Sequence, residues 1–325
     1  MKLTPETQEL VAAFPISDSQ IVLICPDAVN PAMEKASLYR LESGLAVKSV
    51  KLNKKHPERI MLRVEPMRNL PLKIDSVTIR SFQSIHGTKA RKAVSPEFIQ
   101  GVHGAMELKA PYFADTFPYT SNLIGRHVSV ACCTGCNGGV HDRNLVVLNH
   151  HIGGAWSGIW VQTGKTIEAP YPRWQRVLCA GGVIEEVSGS MVVVDKGWME
   201  IYKQKETAHH APPSLPIQTI DIPARRVTSL ACKSLDGAWV QFEEIDVKSA
   251  TFIEAQERVR EAINLPRTEI TFTDKSGGVS KAYLYQPSGH KVKIGRHVKQ
   301  LRGFVHAEKP GVYVLLSDKE EDIIL

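Results

Sequence analysis

Apolar residues in this chain recur in runs of strand length, and that constrains its fold more than any single motif. QIVLI at 20–24, LAVKSVKL at 45–52, RIMLRVEP at 59–66 and SVTIRSF at 76–82 are rich in β-branched residues and separated by turn formers. Such runs read as strands. Helical spacing is scarce. It occurs weakly over Pro5–Ala13 and Ser95–Gly101 and best over Phe252–Ile263, where Phe252, Ala255, Val259, Ala262 and Ile263 repeat and Pro266 follows. The expectation is a mainly β chain with a helix at 252–263.

A chain of 325 residues has room for two or three domains. Two breaks in composition divide it. Residues 85–121, with Gly87, Gly101, Gly104, Pro96, Pro111 and Pro118, read as a connector. Residues 203–224, with His209, His210, Pro212, Pro213, Pro216 and Pro223, read as a semi-rigid Pro-rich linker. Three β units follow, at 1–84, 122–202 and 225–325. Each of the last two has five short strands with a glycine-marked turn before the last, the outline of an OB-type barrel. The string IGRHV occurs at 124–128 and again at 294–298, on the first strand of one unit and the fourth of the other.

A family resemblance rests on particular residues. In the second unit Gly125, Val128 and Val130 precede Gly158-Ile159-Trp160-Val161, then Trp174, Arg176, Val177, Gly181 and Val183, then Gly189 and Val193. This order resembles the OB-like modules that accompany bacterial extracellular nucleases and the sensor regions of some histidine kinases. The closing segment LRGFVHAEKPGVYVLLSDKEEDI is similar to the last strands of the same modules. DAVNPAMEKASLYRLESG, followed by VKSVKL and RIMLRVEP, resembles bacterial immunoglobulin-like modules. The resemblance implies an immunoglobulin-like β-sandwich followed by two OB-like β-barrels. It also implies an accessory, binding or scaffold part, because no nuclease or kinase domain accompanies the modules in this sequence.

The sharpest local feature is Cys132-Cys133-Thr134-Gly135-Cys136, with His141 five residues on. Cys133 and Cys136 have the spacing with which two thiolates reach one tetrahedral zinc, and Cys179 and His141 could complete the set. A structural zinc is the one cofactor these residues suggest; otherwise none is expected. A disulfide through Cys179 or Cys136 and simple buried thiols are the competing readings. Haem attachment is disfavoured by Asn137 after the second cysteine. No phosphate-binding loop, nucleophile elbow or zinc-protease helix occurs. The expectation is therefore a protein that is not an enzyme.

Strand alternation places Ile159 and Val161 on one face of WSGIWVQ and Trp156, Trp160 and Gln162 on the other. With Arg143, His150, Arg173 and Trp174 nearby in the unit, this is a candidate platform for single-stranded nucleic acid or sugar rings. The bland alternative is that the tryptophans seal a domain interface. Forty Lys and Arg against 34 Asp and Glu give a net charge of +6, which permits an anionic partner without requiring one. The basic run at Lys48, Lys51, Lys54, Lys55 and His56 reads as a solvated hairpin tip before it reads as a phosphate contact. A protein partner in a larger assembly is the leading expectation, with nucleic acid or carbohydrate as alternatives. No run reaches the roughly 18 to 20 apolar residues of a membrane span, and the first residues lack a signal-peptide pattern. The resembled modules are often extracytoplasmic, so the compartment stays open.

Overall fold

The computed structural model describes residues 6–67, 71–109, 121–135, 144–150, 155–164, 173–203, 220–221, 224, 230–254, 256–257, 263–264, 266–285 and 291–325. Its first lobe is two four-stranded sheets. One is built from β1 (Thr7–Glu9), β4 (Tyr39–Leu41), β8 (Val77–Gln83) and β9 (Lys89–Val94), in the order β1-β9-β8-β4. The other holds β2 (Ala12–Ser17), β3 (Gln20–Ile24), β5 (Val47–Leu52) and β6 (Arg59–Val64), in the order β2-β3-β6-β5. The inward residues Ile21, Leu23, Ile60, Leu62, Ile79 and Phe82 form one core between them. They alternate with outward residues, polar on β8 at Arg80 but apolar on β3 and β6 at Val22 and Met61. β9 completes this lobe, so the sandwich extends ten residues beyond the boundary expected at 84.

Just before β8 the chain forms β7 (Ile74–Asp75), and after β9 it forms β10 (Phe98–Ile99), which pairs with β7, and then α1 (Ala105–Lys109). β10 also lies parallel to β11 (His127–Thr134), the first strand of the second lobe. β12 (Leu145–Asn149), β13 (Gly158–Gln162), β14 (Arg176–Val187) and β15 (Ser190–Val194) follow, with β16 (Glu200–Lys203) added beside β14. Pairings β11–β12, β12–β13, β13–β15, β15–β14 and β14–β11 close a ring of five. Val128, Val130, Val146, Leu148, Ile159, Val161, Val177 and Ile184 fill this barrel.

The third lobe repeats the plan. After the short β17 (Ile220–Asp221) come β18 (Trp239–Ile253), β21 (Arg267–Thr273), β22 (Val279–Leu284), β23 (His297–Lys309) and β24 (Val312–Ser317). Between the first two, β19 (Gln256–Glu257) pairs with β20 (Ile263–Asn264), and β25 (Ile323–Ile324) ends the chain on β23. The five long strands close through the same sequence of neighbours, including a parallel β22–β24 pair. Val240, Phe242, Ile270, Phe272, Leu301 and Leu315 fill the interior.

The repeated IGRHV string acts at the same seam from opposite sides. Gly125 (φ +82) and Gly295 (φ +77) occupy the left-handed position of a turn that favours glycine. Each turn then docks on the facing strand of its own barrel. Gly125 N–H donates to Ile184 O at 2.8 Å, and Gly295 N–H to Val247 O at 2.9 Å. First and fourth strands are neighbours in both barrels, so one string serves either strand.

Among the described residues, none of the three segments expected to be helical is helical. Thr7–Glu9 and Ala12–Ser17 are strands paired with β9 and β3, and Phe98–Ile99 is a strand between β7 and β11. Phe252 and Ile253 end the long β18, with Phe252 opposite Thr268. At Phe252 and Ile253 the partner strand Arg267–Thr273 imposes a period of two in place of the helical one. Tertiary pairing overrides so short a local pattern. Most of the linker expected at 203–224 lies outside the described residues.

Candidate functional site at the barrel interface

The outer face of barrel 1 is not free. Outward residues of β12, β13 and β15, namely Val147, Trp160 and Val192, pack in one cluster with Trp239, Tyr283, Phe304, Val314 and Leu316 of barrel 2. The opposite outer face, on β11 and β14, meets β2 of the sandwich. There Ala180 and Leu178 pack with Ala12, Phe14 and Ile24, and the Ser129 hydroxyl donates to Pro15 O. Arg59 of the sandwich pairs with Glu200 across the same junction. Barrel 1 is thus buried inside and outside, which explains why VSVACC, LVVL and SMVVV read as continuous apolar runs.

The backbones of the two barrels approach closely at Gly158, which opens β13, and Gly237, just before β18. A Cβ on Gly158 would stand 1.9 Å from Gly237 O, and Gly237 itself has φ +76. Only glycine at both positions lets the backbones meet. Around them lies a buried polar node. Asn149 Nδ2 donates to Gly237 O at 2.7 Å, the Ser157 hydroxyl donates to Asn149 Oδ1 at 3.0 Å, and Trp160 Nε1 donates to Asp236 Oδ1 at 3.1 Å. Lys109, the last residue of α1, donates from Nζ to Asp236 O at 2.8 Å, with the Asp236 carboxylate 3.6 Å away. Both side chains are 2% exposed. Burial lowers the Lys109 pKa and the Asp236 charge opposes that shift. The connector helix is thereby fixed to the barrel junction.

Trp160 is 1% exposed and edge-on to the His306 ring at 4.8 Å. Arg173 lies nearby, 4.6 Å over the Trp239 ring, with a two-pronged pair to Asp322 at 2.9 Å on each prong and a further bond to Asp318. Burial works against the Arg173 charge, but the bonds and charges of Asp322 and Asp318 outweigh it and raise the pKa. Trp174 meets Trp239 edge-on at 5.9 Å. The structure therefore brings Trp160, Arg173 and Trp174 together at the seam between the barrels.

The other platform residues lie elsewhere. Trp156 has φ +65, which breaks the alternation before β13 starts, and it packs against the core of barrel 1 instead of sharing a face with Trp160. His150 has its ring beside Gly104, with Cδ2 at 3.2 Å from where a Cβ would be. Arg143 lies outside the described residues.

The cysteines separate by strand alternation. Cys132 and Cys179 point into the core of barrel 1, and Cys133, its neighbour on β11, points outward. Cys132 accepts from Ala105 N–H at 3.4 Å, and Cys179 lies 3.2 Å from the Met199 sulfur. Burial pushes the Cys132 thiol up to about 12, and raises Cys179 and, against the pull of Arg176, Cys133. Cys25, Cys132, Cys133 and Cys179 are all unbridged. Cys136 and His141 lie outside the described residues, and no cluster suited to a metal occurs among the described residues.

Sequence reasoning missed Lys109, Asn149, Asp236 and Asp318. The sequence signal near them is the turn-forming pair Asp236-Gly237 ahead of an apolar strand, which gives no hint that another lobe is docked there.

No protein-family model and no curated protein matches the chain. Among solved structures, the N-terminal part of the bacterial S-layer protein SbsC is 9% identical, with a TM-score of 0.27 over 86% of this chain and 44% of its own. A Replication Protein A heterotrimer bound to ssDNA is 8% identical, with a TM-score of 0.24 over 57% and 47%. Domains 1–6 of SbsC are 11% identical, with a TM-score of 0.26 over 97% and 59%. The chain spans about half the length of these structures, and superpositions of this quality carry no argument about fold or function.

Proposed function

We propose that the protein is a non-enzymatic binding or scaffold part of a larger assembly, built from an immunoglobulin-like sandwich and two OB-type barrels. Strand order supports the finer fold. Neighbours run 1-2-3-5-4-1 in both barrels with strands 3 and 5 parallel, as in an OB barrel. In the sandwich, β2-β3-β6-β5 and β9-β8-β4 match the ABED and GFC sheets of an immunoglobulin fold. The likeness to modules that accompany extracellular nucleases and sensor kinases belongs to the same proposal.

The functional reading rests on the burial of barrel 1 on both outer faces. Modules locked in this way present one fixed surface, which is what a scaffold requires. The polar side chains drawn together at the junction neutralise one another in buried pairs instead of facing a cleft. Beside the interface residue Tyr283, the outer face of β21 and β22 on barrel 2 carries the partly exposed Arg267, Glu269 and Lys281, paired at 2.6 and 3.4 Å. Alternating charges of this kind suit a protein partner better than a polyanion. Nucleic-acid or sugar stacking on Trp160 would require the barrels to part.

Native purification with cross-linking and mass spectrometry tests this reading. A stoichiometric protein partner cross-linked to Lys281 supports it. Isolation as a lone chain, or with single-stranded nucleic acid released as salt rises, contradicts it.

A further inference from the structure

The ribbon of β18 and β21 continues beyond the closure of barrel 2 as an overhang. Register sets Ala250 opposite Ile270 and Phe252 opposite Thr268, so the inner face of the ribbon continues outward from the core. Next to it lies the turn Lys293-Ile294-Gly295, preceded by Val292, which is part of that core. Between ribbon and turn is a cavity of about 420 Å³ lined by Ala250, Phe252, Thr268, Val292, Lys293 and Ile294. Mouths of β-barrels are common places for small-molecule sites, which are mainly apolar with a few polar groups.

Three observations point to a ligand. Thr268 is 4% exposed, yet its Oγ1 has no hydrogen-bond partner among the described residues. A buried hydroxyl left in that state is costly and is satisfied by whatever fills the space beside it. Phe252 and Ile294 stand 46% and 68% exposed at the rim, large apolar groups that a bound apolar body would cover. Lys293 is exposed and pairs with no carboxylate among the described residues, whereas nearby Lys291 reaches Glu320 at 4.0 Å.

The geometry points to a binding site for a small aliphatic carboxylate. Its chain lies against Ala250, Phe252, Val292 and Ile294, and its head accepts hydrogen bonds from the Thr268 hydroxyl and the Lys293 ammonium. An alcohol of the same length would fill the apolar wall but forgo the charge, so head-group charge is the specificity the site predicts. None of these six residues belongs to the barrel–barrel cluster, so the site stands or falls independently of the scaffold reading.

The test is a titration of the full chain, methyl-labelled at Ile and Val, with octanoate and separately with octanol, followed by NMR. Saturable shifts at Ile294 and Val292, with octanoate about threefold to fivefold tighter than octanol, are expected, since an ion pair to the exposed Lys293 gives about this factor. Lys293→Met, an exposed change that leaves the core alone, should erase the difference. Thr268→Val, close to isosteric, should weaken octanoate binding severalfold with the core methyl spectrum unchanged. Shifts scattered over the surface, no saturation at millimolar octanoate, equal affinity for the two probes, or unaltered binding by both variants would each overturn the proposal.

Discussion

Gly158 and Gly237 meet backbone to backbone: a Cβ on Gly158 would lie 1.9 Å from Gly237 O, closer than any side-chain shift could relieve. The contact joins the start of the third strand of barrel 1 to the segment entering barrel 2. It lies beside the Asp236 node that also holds Trp160, Asn149 and Lys109.

Gly158→Ala should therefore cost on the order of 3 kcal/mol, the upper range for forcing an atom into a packed core. Gly44→Ala, at φ +82 with nothing within 4 Å, should cost about 1 kcal/mol for backbone strain alone. Urea unfolding curves followed by tryptophan fluorescence separate the two. Equal losses would mean that the barrels are not in contact at this point.

Arg173→Ala should cost about 3 to 5 kcal/mol, because it removes the buried cation that pairs with the carboxylates of Asp318 and Asp322. Arg173→Lys should recover little, since an ammonium cannot make the two-pronged contact or stack over Trp239 as a planar guanidinium does. Unfolding midpoints of both variants check this, with the fluorescence of Trp239 as a local reporter.

Lys109 and Asp236 should behave as a coupled pair. Asp236→Asn alone and Lys109→Met alone should each cost roughly 3 kcal/mol. The double variant should cost clearly less than their sum, with a coupling of at least about 1 kcal/mol. A strictly additive cycle would show that the connector helix is not tied to the barrel junction by this pair.

Both interfaces should weaken in acid. His127 stacks on Trp198 at 5.7 Å near the sandwich junction, and His306 meets Trp160 between the barrels. Burial lowers each imidazole from 6.5 to about 4. Below pH 6.5 the unfolded chain takes up protons that the folded chain refuses, so stability is full above that pH and declines as pH falls towards about 4. Exposed His297 shifts the other way, raised by its bonds to Asp246 and Glu244. Its contribution is present below 6.5 and fades as pH rises through its folded pKa. Unfolding midpoints of the wild type against His306→Gln between pH 4 and 7 isolate the first effect. A difference that does not change with pH would contradict it.

Much of the architecture was legible in the sequence. The strands of the sandwich alternate visibly, and GIWVQ and RTEITFT mark strands of the two barrels. The helical spacing over 252–263 does not decide the structure at Phe252, because a residue at the end of a long ribbon is placed by its partner strand, here with Phe252 opposite Thr268. The docking of lobes was harder to read. Continuous apolar strands such as SMVVV signal burial on both faces, but nothing in them says which lobe covers which face. The sequence marks the Trp160 face as unusual, yet platform and interface demand the same aromatic residue. Lys109 and Asp236 are 127 residues apart, and no local pattern links them.

Distances between spin labels test the central claim, that three lobes form one body around a doubly buried barrel. Labels on cysteines replacing the exposed Lys48, Lys196 and Lys299 place one reporter on each lobe, and each pair can be measured by double electron–electron resonance. The account predicts a single narrow distribution for all three pairs, unchanged between dilute and crowded solution. Broad or multiple distributions between Lys196 and Lys299 would show that the barrels move independently, and the scaffold reading would fall with that result.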